Sequence, residues 1–152
     1  MKILVINGPN INFLGIREIE VYGNKDYNYL RQMVRKKAAQ ENVIVEFFQS
    51  NHEGAIIDKI QESYTDYTDA IIINPGAYAY YSYAIHDALI SVPTPKVEVH
   101  IADITHRAEE WRRHSITAAA CNKLIKGRGF EGYLDAIDYL IELNKNGADE
   151  EK

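Results

Sequence analysis

Two short aliphatic runs that end in the same kind of punctuation constrain this chain more than anything else in it. Ile3-Leu4-Val5-Ile6 stops at Asn7-Gly8-Pro9-Asn10, and Ala70-Ile71-Ile72-Ile73 stops at Asn74-Pro75-Gly76. A continuous β-branched and aliphatic run without polar alternation reads as a strand covered on both faces, as in a parallel sheet. Parallel strands need long crossovers, and helical patterns supply them. Asp26 is placed to cap a helix with Tyr27, Leu30, Val34 and Ala38 on its apolar face, ending near Asn42. Val43 to Gln49 reads as a second strand, closed by the polar cluster Ser50 to Gly54, and Ala55, Ile56, Ile57 and Ile60 support a helix to about Tyr64. Ser82 caps a helix through Ser91 with Ala84, Ile85, Ala88 and Leu89 inward. Pro93 and Pro95 bracket the turn into a strand at Lys96 to His100. A short charged helix around Glu109 to Arg113, a strand over Ala118 to Ile125 and an amphipathic helix over Tyr133 to Leu143 complete the alternation.

Strands alternating with helices through right-handed crossovers predict an α/β fold: a flavodoxin-like, doubly wound five-stranded parallel sheet in a single domain. That domain is expected over residues 1–146, with a solvated C-terminal tail at 147–152. A chain of 152 residues with 46% hydrophobic content suits one core. The 17 basic and 22 acidic residues are interspersed, so no basic stripe points to nucleic acid. No stretch reaches the length of a membrane helix, and MKILVINGPN lacks a signal peptide's cleavage pattern. The single cysteine, Cys121, forms no internal disulfide and suits a reducing compartment, so the cytoplasm is expected.

In an open parallel sheet, ligands bind outside the carboxyl ends of the strands, which places the Asn-Gly-Pro-Asn and Asn-Pro-Gly segments at a site mouth. Gly15 to Gly23 holds Arg17, Glu18, Glu20 and Tyr22 between two glycines and reads as a lid. Tyrosine is a poor base until its proton is loosened, and an adjacent guanidinium is the simplest way to favour the phenolate. Arg17 and Tyr22 are therefore a candidate activated base; a packed tyrosine beside an exposed arginine is the alternative. Glu98 and His100, two apart on a strand, point to one face. The carboxylate can orient the imidazole and hold it protonated as a general acid; a structural histidine at a strand end is the alternative, and a metal pair finds no third ligand at recognisable spacing. Gly127-Arg128-Gly129-Phe130-Glu131-Gly132 matches a dinucleotide fingerprint, but comes too late in the chain and without the following acidic residue. Close helix packing and a loop supporting a neighbouring site account for these glycines better.

Taken in order, NGPNINFLG at 7–15, REIEVYG at 17–23, QSNHEG at 49–54, INPGAY at 73–78, EVH at 98–100, WRRHS at 111–115 and GRGFEGY at 127–133 resemble the type II 3-dehydroquinate dehydratases, over nearly the whole chain. The resemblance implies a cofactor-free, metal-free lyase that eliminates water in anti fashion from 3-dehydroquinate, through an enolate, to give 3-dehydroshikimate. It places the general base at Tyr22, the lid arginine at Arg17 and the amide that helps hold a water against the enolate oxygen at Asn10. It places the general acid at His100, oriented by Glu98. Substrate binding falls on Asn74, Tyr80, Arg112 and the backbone N–H groups of Ile101 and Ala102, with Asp87 offered from a neighbouring subunit. The implied assembly is a homo-oligomeric dodecamer built from trimers.

Several positions depart from the family pattern. Tyr80 stands where a histidine is usual, His86 where an arginine is common, Ile19 in place of a lid proline and Ala102 in place of a serine. The loop ADITHRAEEWRRHS carries one extra residue, which leaves Arg107 out of register; Arg112 is preferred to Arg113 because Trp111 fits the preceding aromatic. These departures keep a second reading open, a non-catalytic or repurposed relative binding a different cyclic polyol acid. A flavin-binding or signalling domain of the same fold is disfavoured, because this chain has neither an acidic pair at the end of the first strand nor a hydroxyl-rich phosphate loop there.

Overall fold

The computed structural model describes the backbone of residues 1–150 and the side chains of residues 1–147. Its strands are β1 (Lys2–Asn7), β2 (Ile44–Gln49), β3 (Ala70–Asn74), β4 (Lys96–His100) and β5 (Lys123–Lys126). They form one parallel sheet in the order β2-β1-β3-β4-β5. The helices are α1 (Ile19–Tyr22), α2 (Tyr27–Gln40), α3 (Glu53–Glu62), α4 (Tyr83–Ser91) and α5 (Glu131–Glu150). The expected doubly wound, flavodoxin-like α/β sheet is the one observed.

The uninterrupted aliphatic runs are the inner strands because they are covered twice. Ile3, Val5, Ala70 and Ile72 pack with Leu30, Val34 and Ala38 of α2 and Tyr133, Ile137 and Leu140 of α5. Leu4, Ile6, Ile71 and Ile73 pack with Ile56 and Ile60 of α3 and Ile85 and Leu89 of α4. Each such valine, leucine or isoleucine side chain contributes about 1.5–3 kcal/mol on burial. β2 and β5 are the sheet edges and stay half-exposed, which suits their mixed sequences IVEFFQ and KLIK. The Asp26 side chain accepts from Tyr29 N–H and the Ser82 side chain from Ile85 N–H, so both expected caps form.

Several local expectations are corrected or refined. The fifth strand begins at Lys123, because Thr117–Ala120 make a 3-10 turn and Ser115 Oγ accepts from Ala118 N–H. Strand pairing resumes only where Asn122 and Lys96 exchange hydrogen bonds. The charged segment near Glu109 is a single 3-10 turn, Glu110–Arg112. Ala84 faces solvent. The lid contains a helical turn, α1. The final helix runs through Glu150, and most of the expected 147–152 tail lies outside the residues whose side chains are described.

From β1 the chain crosses to β2 on one side and then to β3 on the other, so the switch point of the topology lies between β1 and β3. There Asn7 and Asn74 are register partners. The loops beyond them interlock: a Cβ on Gly8 would lie 2.5 Å from the Pro75 carbonyl oxygen, and one on Gly76 (φ 58°) would lie 2.9 Å from the Pro9 carbonyl oxygen. Only glycine permits that approach.

Candidate active site

A cleft of about 120 Å³ opens above the switch point, the size of a single-ring molecule rather than a dinucleotide. Asn10, Arg17, Tyr22, Asn74 and Tyr80 line it, as do His100, Ile101, Ala102 and Arg112. Of the candidate site residues, two stand elsewhere. Glu98 is fully buried beneath His100, and Asp87 points from α4 into solvent.

Asn10 reaches the rim in a left-handed conformation (φ 67°), which asparagine tolerates. Its N–H donates to Asn51 Oδ1 at 3.0 Å, and Gln49 Nε2 donates to the same oxygen at 3.2 Å. The ends of β1 and β2 are thereby tied together at the rim. On the opposite wall, Gly127 N–H donates to the His100 carbonyl and Gly129 N–H to the Ile101 carbonyl. Gly132 lets α5 approach Val99, since a Cβ would lie 3.2 Å from Val99 Cγ1. The GRGFEG segment thus braces the wall of the cleft.

His100 Nε2 lies 3.0 Å from Glu98 Oε1. Ser115 Oγ donates to the same carboxylate at 2.8 Å and Thr117 Oγ1 at 2.8 Å. A buried carboxylate is costly unless its oxygens find hydrogen-bond partners, and these donors together with the imidazole supply them. Pairing through Nε2 leaves Nδ1 as the imidazole nitrogen open to the cleft. Sequence periodicity finds Glu98 and His100; Ser115 and Thr117 arrive through the 3-10 turn that was expected to be strand.

Arg17 lies over the Tyr22 ring, its Cζ 4.9 Å from the centroid, and pairs with Glu18. The guanidinium at the Tyr22 hydroxyl is instead that of Arg107, with Nη1 at 3.3 Å. Its other terminal nitrogen donates to Glu18 at 3.1 Å. Burial opposes the charge on Arg107, yet Tyr22 and Glu18 outweigh it and hold its pKa above the ordinary value. Arg17, helped by Arg107, holds the Glu18 carboxyl below its usual range against partial burial. Arg107 was missed from the sequence because the lengthened loop hides its register; its place in a basic segment was the available signal.

Arg112 enters the cleft with its Cζ 4.2 Å over the Trp111 ring. Arg113 turns away and donates to the backbone carbonyls of Arg107 and Ala108. Tyr80 stacks on His100 at 6.3 Å between ring centroids and meets Trp111 edge-on at 5.4 Å. Burial and the neighbouring Tyr22 outweigh Arg107 and Arg112 and push the Tyr80 hydroxyl above its ordinary pKa. Among the described residues no group of three or more His, Cys, Asp or Glu side chains is placed to hold a metal, and no helix is long and apolar enough to cross a membrane.

A profile of the family described as dehydroquinase class II matches residues 1–141. The chain is 60% identical over 144 residues to a 3-dehydroquinate dehydratase of Lachnoclostridium phytofermentans, covering 95% of this chain and 99% of that one. It superimposes on the crystal structure of a type II dehydroquinase from Butyrivibrio crossotus with a TM-score of 0.90 and 59% identity, covering 92% of this chain and 97% of that one. The type II dehydroquinase of Propionibacterium acnes follows with a TM-score of 0.87 and 37% identity, over 91% of this chain and 94% of the other.

Proposed function

The chain belongs to the class II dehydroquinase family, and from that premise we propose how its cleft carries out the dehydration of 3-dehydroquinate. Tyr22, as phenolate, removes a proton from the carbon next to the ketone. Arg107 and Arg17 oppose the negative charge on its oxygen and ring. The resulting enolate oxygen is held by a water that Asn10 positions. His100 delivers a proton from Nδ1 to the departing tertiary hydroxyl, and Glu98 compensates the imidazolium charge before transfer. A hydroxyl β to a ketone leaves readily once the enolate exists, so one base and one acid are enough. The observation that carries this reading is the meeting, in one small cleft, of a tyrosine hydroxyl contacted by a guanidinium and an imidazole backed by a buried carboxylate.

Asn74, Tyr80 and Arg112 would hold ring hydroxyls, and the Ile101 and Ala102 N–H groups the carboxylate. Asp87 would serve a neighbouring subunit: it lies on the side of α4 that also exposes Tyr83 and Ile90, an apolar strip suited to a second copy. We extend the proposal to a dodecamer built from trimers, in the cytoplasm, for which the solution mass measured by light scattering is the test of assembly.

The catalytic test is the ultraviolet absorbance rise of the conjugated enone product when 3-dehydroquinate is added, with wild type beside Tyr22→Phe and His100→Ala. Loss of the signal in both variants supports the base and acid assignments. The Tyr80 ring against His100 favours one other reading, a relative that binds a different cyclic polyol acid. A folded wild type that gives no absorbance change would establish that reading over turnover.

A further inference from the structure

Tyr133, the third residue of α5, is completely buried beneath the cleft. Its hydroxyl sits between the two asparagines that end β1 and β3. It donates to Asn7 Oδ1 at 2.6 Å and accepts from Asn74 Nδ2 at 3.0 Å. A phenol has one proton. With that proton committed to Asn7, the oxygen can only accept from Asn74, and so it selects the nitrogen end of that amide. The other end is selected independently, since Asn74 Oδ1 accepts from Gly76 N–H at 3.1 Å. Burial pushes the Tyr133 hydroxyl far above its ordinary pKa, so the proton is retained throughout the working pH range.

Both ends of the Asn74 amide are therefore determined from below, while one N–H and one oxygen lone pair remain for a ligand in the cleft that Asn74 lines. We propose that Tyr133 is a positioning residue for the dehydration, holding the Asn74 amide in the orientation that offers its second N–H to a substrate hydroxyl. The proposal rests on the reading of Asn74 as a substrate-binding residue. It extends the functional apparatus to a helix that contributes no side chain to the cleft surface. A neutral, buried link of this kind is worth having because an asparagine amide is nearly symmetric in shape. Left to itself, the group presents donor and acceptor almost interchangeably.

The experiment is a double-mutant cycle on kcat/KM with Tyr133→Phe and Asn74→Ala, alone and combined, with folding checked by circular dichroism and solution mass. Tyr133→Phe keeps the ring and is expected to lower kcat/KM about ten-fold, mainly through KM. In the Asn74→Ala background the same change is expected to alter kcat/KM by less than about two-fold, because its target is gone. An equal loss in both backgrounds would mean that Tyr133 acts without Asn74 and would overturn the proposal. So would a Tyr133→Phe enzyme with a lowered melting temperature but unchanged KM and kcat. If Asn74→Ala alone keeps wild-type kcat/KM, the assignment of Asn74 is what fails, and the role of Tyr133 falls with it. Should Tyr133→Phe not fold, Asn7→Ala takes its place in the cycle. It keeps the tyrosine but frees its proton, and the same two outcomes decide.

Discussion

Arg107 bridges Tyr22 and Glu18, with one terminal nitrogen 3.3 Å from the phenol oxygen and the other 3.1 Å from a carboxylate oxygen. The bridge joins the loop after β4 to the lid, and a planar guanidinium is needed to span it. Arg107→Leu is expected to lower kcat about 100-fold, in line with the loss of one preorganised charge contact. Arg107→Lys should recover little, since one ammonium cannot serve both partners. Steady-state kinetics on the two variants check this, and a lysine variant within two-fold of wild type would refute it.

Tyr80 keeps its proton above the ordinary tyrosine range, because burial, with Tyr22 and Glu98 as neighbours, outweighs the nearby arginines. Since its folded pKa is raised, the group is a neutral donor at every pH below about 10. Tyr80→Phe is expected to raise KM several-fold by the same factor from pH 6 to pH 9, with kcat little changed. For the same reason Tyr80 cannot replace the proposed base, and Tyr22→Phe should show no residual turnover that grows with pH. A pH–rate profile of both variants gives the answer.

The buried carboxylate of Glu98 receives hydroxyl protons from Ser115 and Thr117. Ser115→Ala with Thr117→Val removes both. The double variant should lose about 2–4 kcal/mol of stability by leaving a buried carboxylate underbonded. It should also lose about ten-fold in kcat through a less well-held His100. Denaturant melts and kinetics on the same sample separate the two effects.

Lys96 is buried at the start of β4, with Nζ donating to the Val92 carbonyl at 2.9 Å. Burial lowers its pKa, and the nearby Cys121 opposes that only in part. A depressed lysine pKa means that protonation costs more in the folded state. Stability on this account is greatest above the unfolded lysine value and is lost as pH falls through the folded one. Lys96→Met should therefore stabilise the protein at pH 7, by about 1 kcal/mol, with the advantage shrinking as pH rises toward 10. Thermal melts of both proteins at pH 7 and 9.5 test the sign; an advantage that grows with pH would contradict it.

The inner strands were legible because aliphatic runs covered on both faces carry no competing pattern, and their ends marked the site through Asn7 to Asn10 and Asn74 to Gly76. Glu98 and His100 were legible because strand periodicity alone brings them to one face. Local rules failed where partners meet across the fold. Ala118 to Ala120 look like strand residues, yet the 3-10 turn keeps Thr117 beneath Glu98. Arg107 reaches Tyr22 across 85 positions of sequence, and no spacing rule reports such a contact. Tyr133 reads as an ordinary core aromatic in an amphipathic helix, and only the two asparagines facing its hydroxyl distinguish it.

The hydrogen bond from Tyr133 to Asn7 joins residues 126 positions apart. On a ribosome, the strand bearing Asn7 emerges well before the helix bearing Tyr133. A nascent chain can collapse around β1, β2 and β3 long before the floor beneath Asn74 exists. On the proposed role of Tyr133, the Asn74 amide therefore acquires its fixed orientation only once α5 has been made, and the first three strands alone leave that amide without the phenol oxygen its Nδ2 donates to.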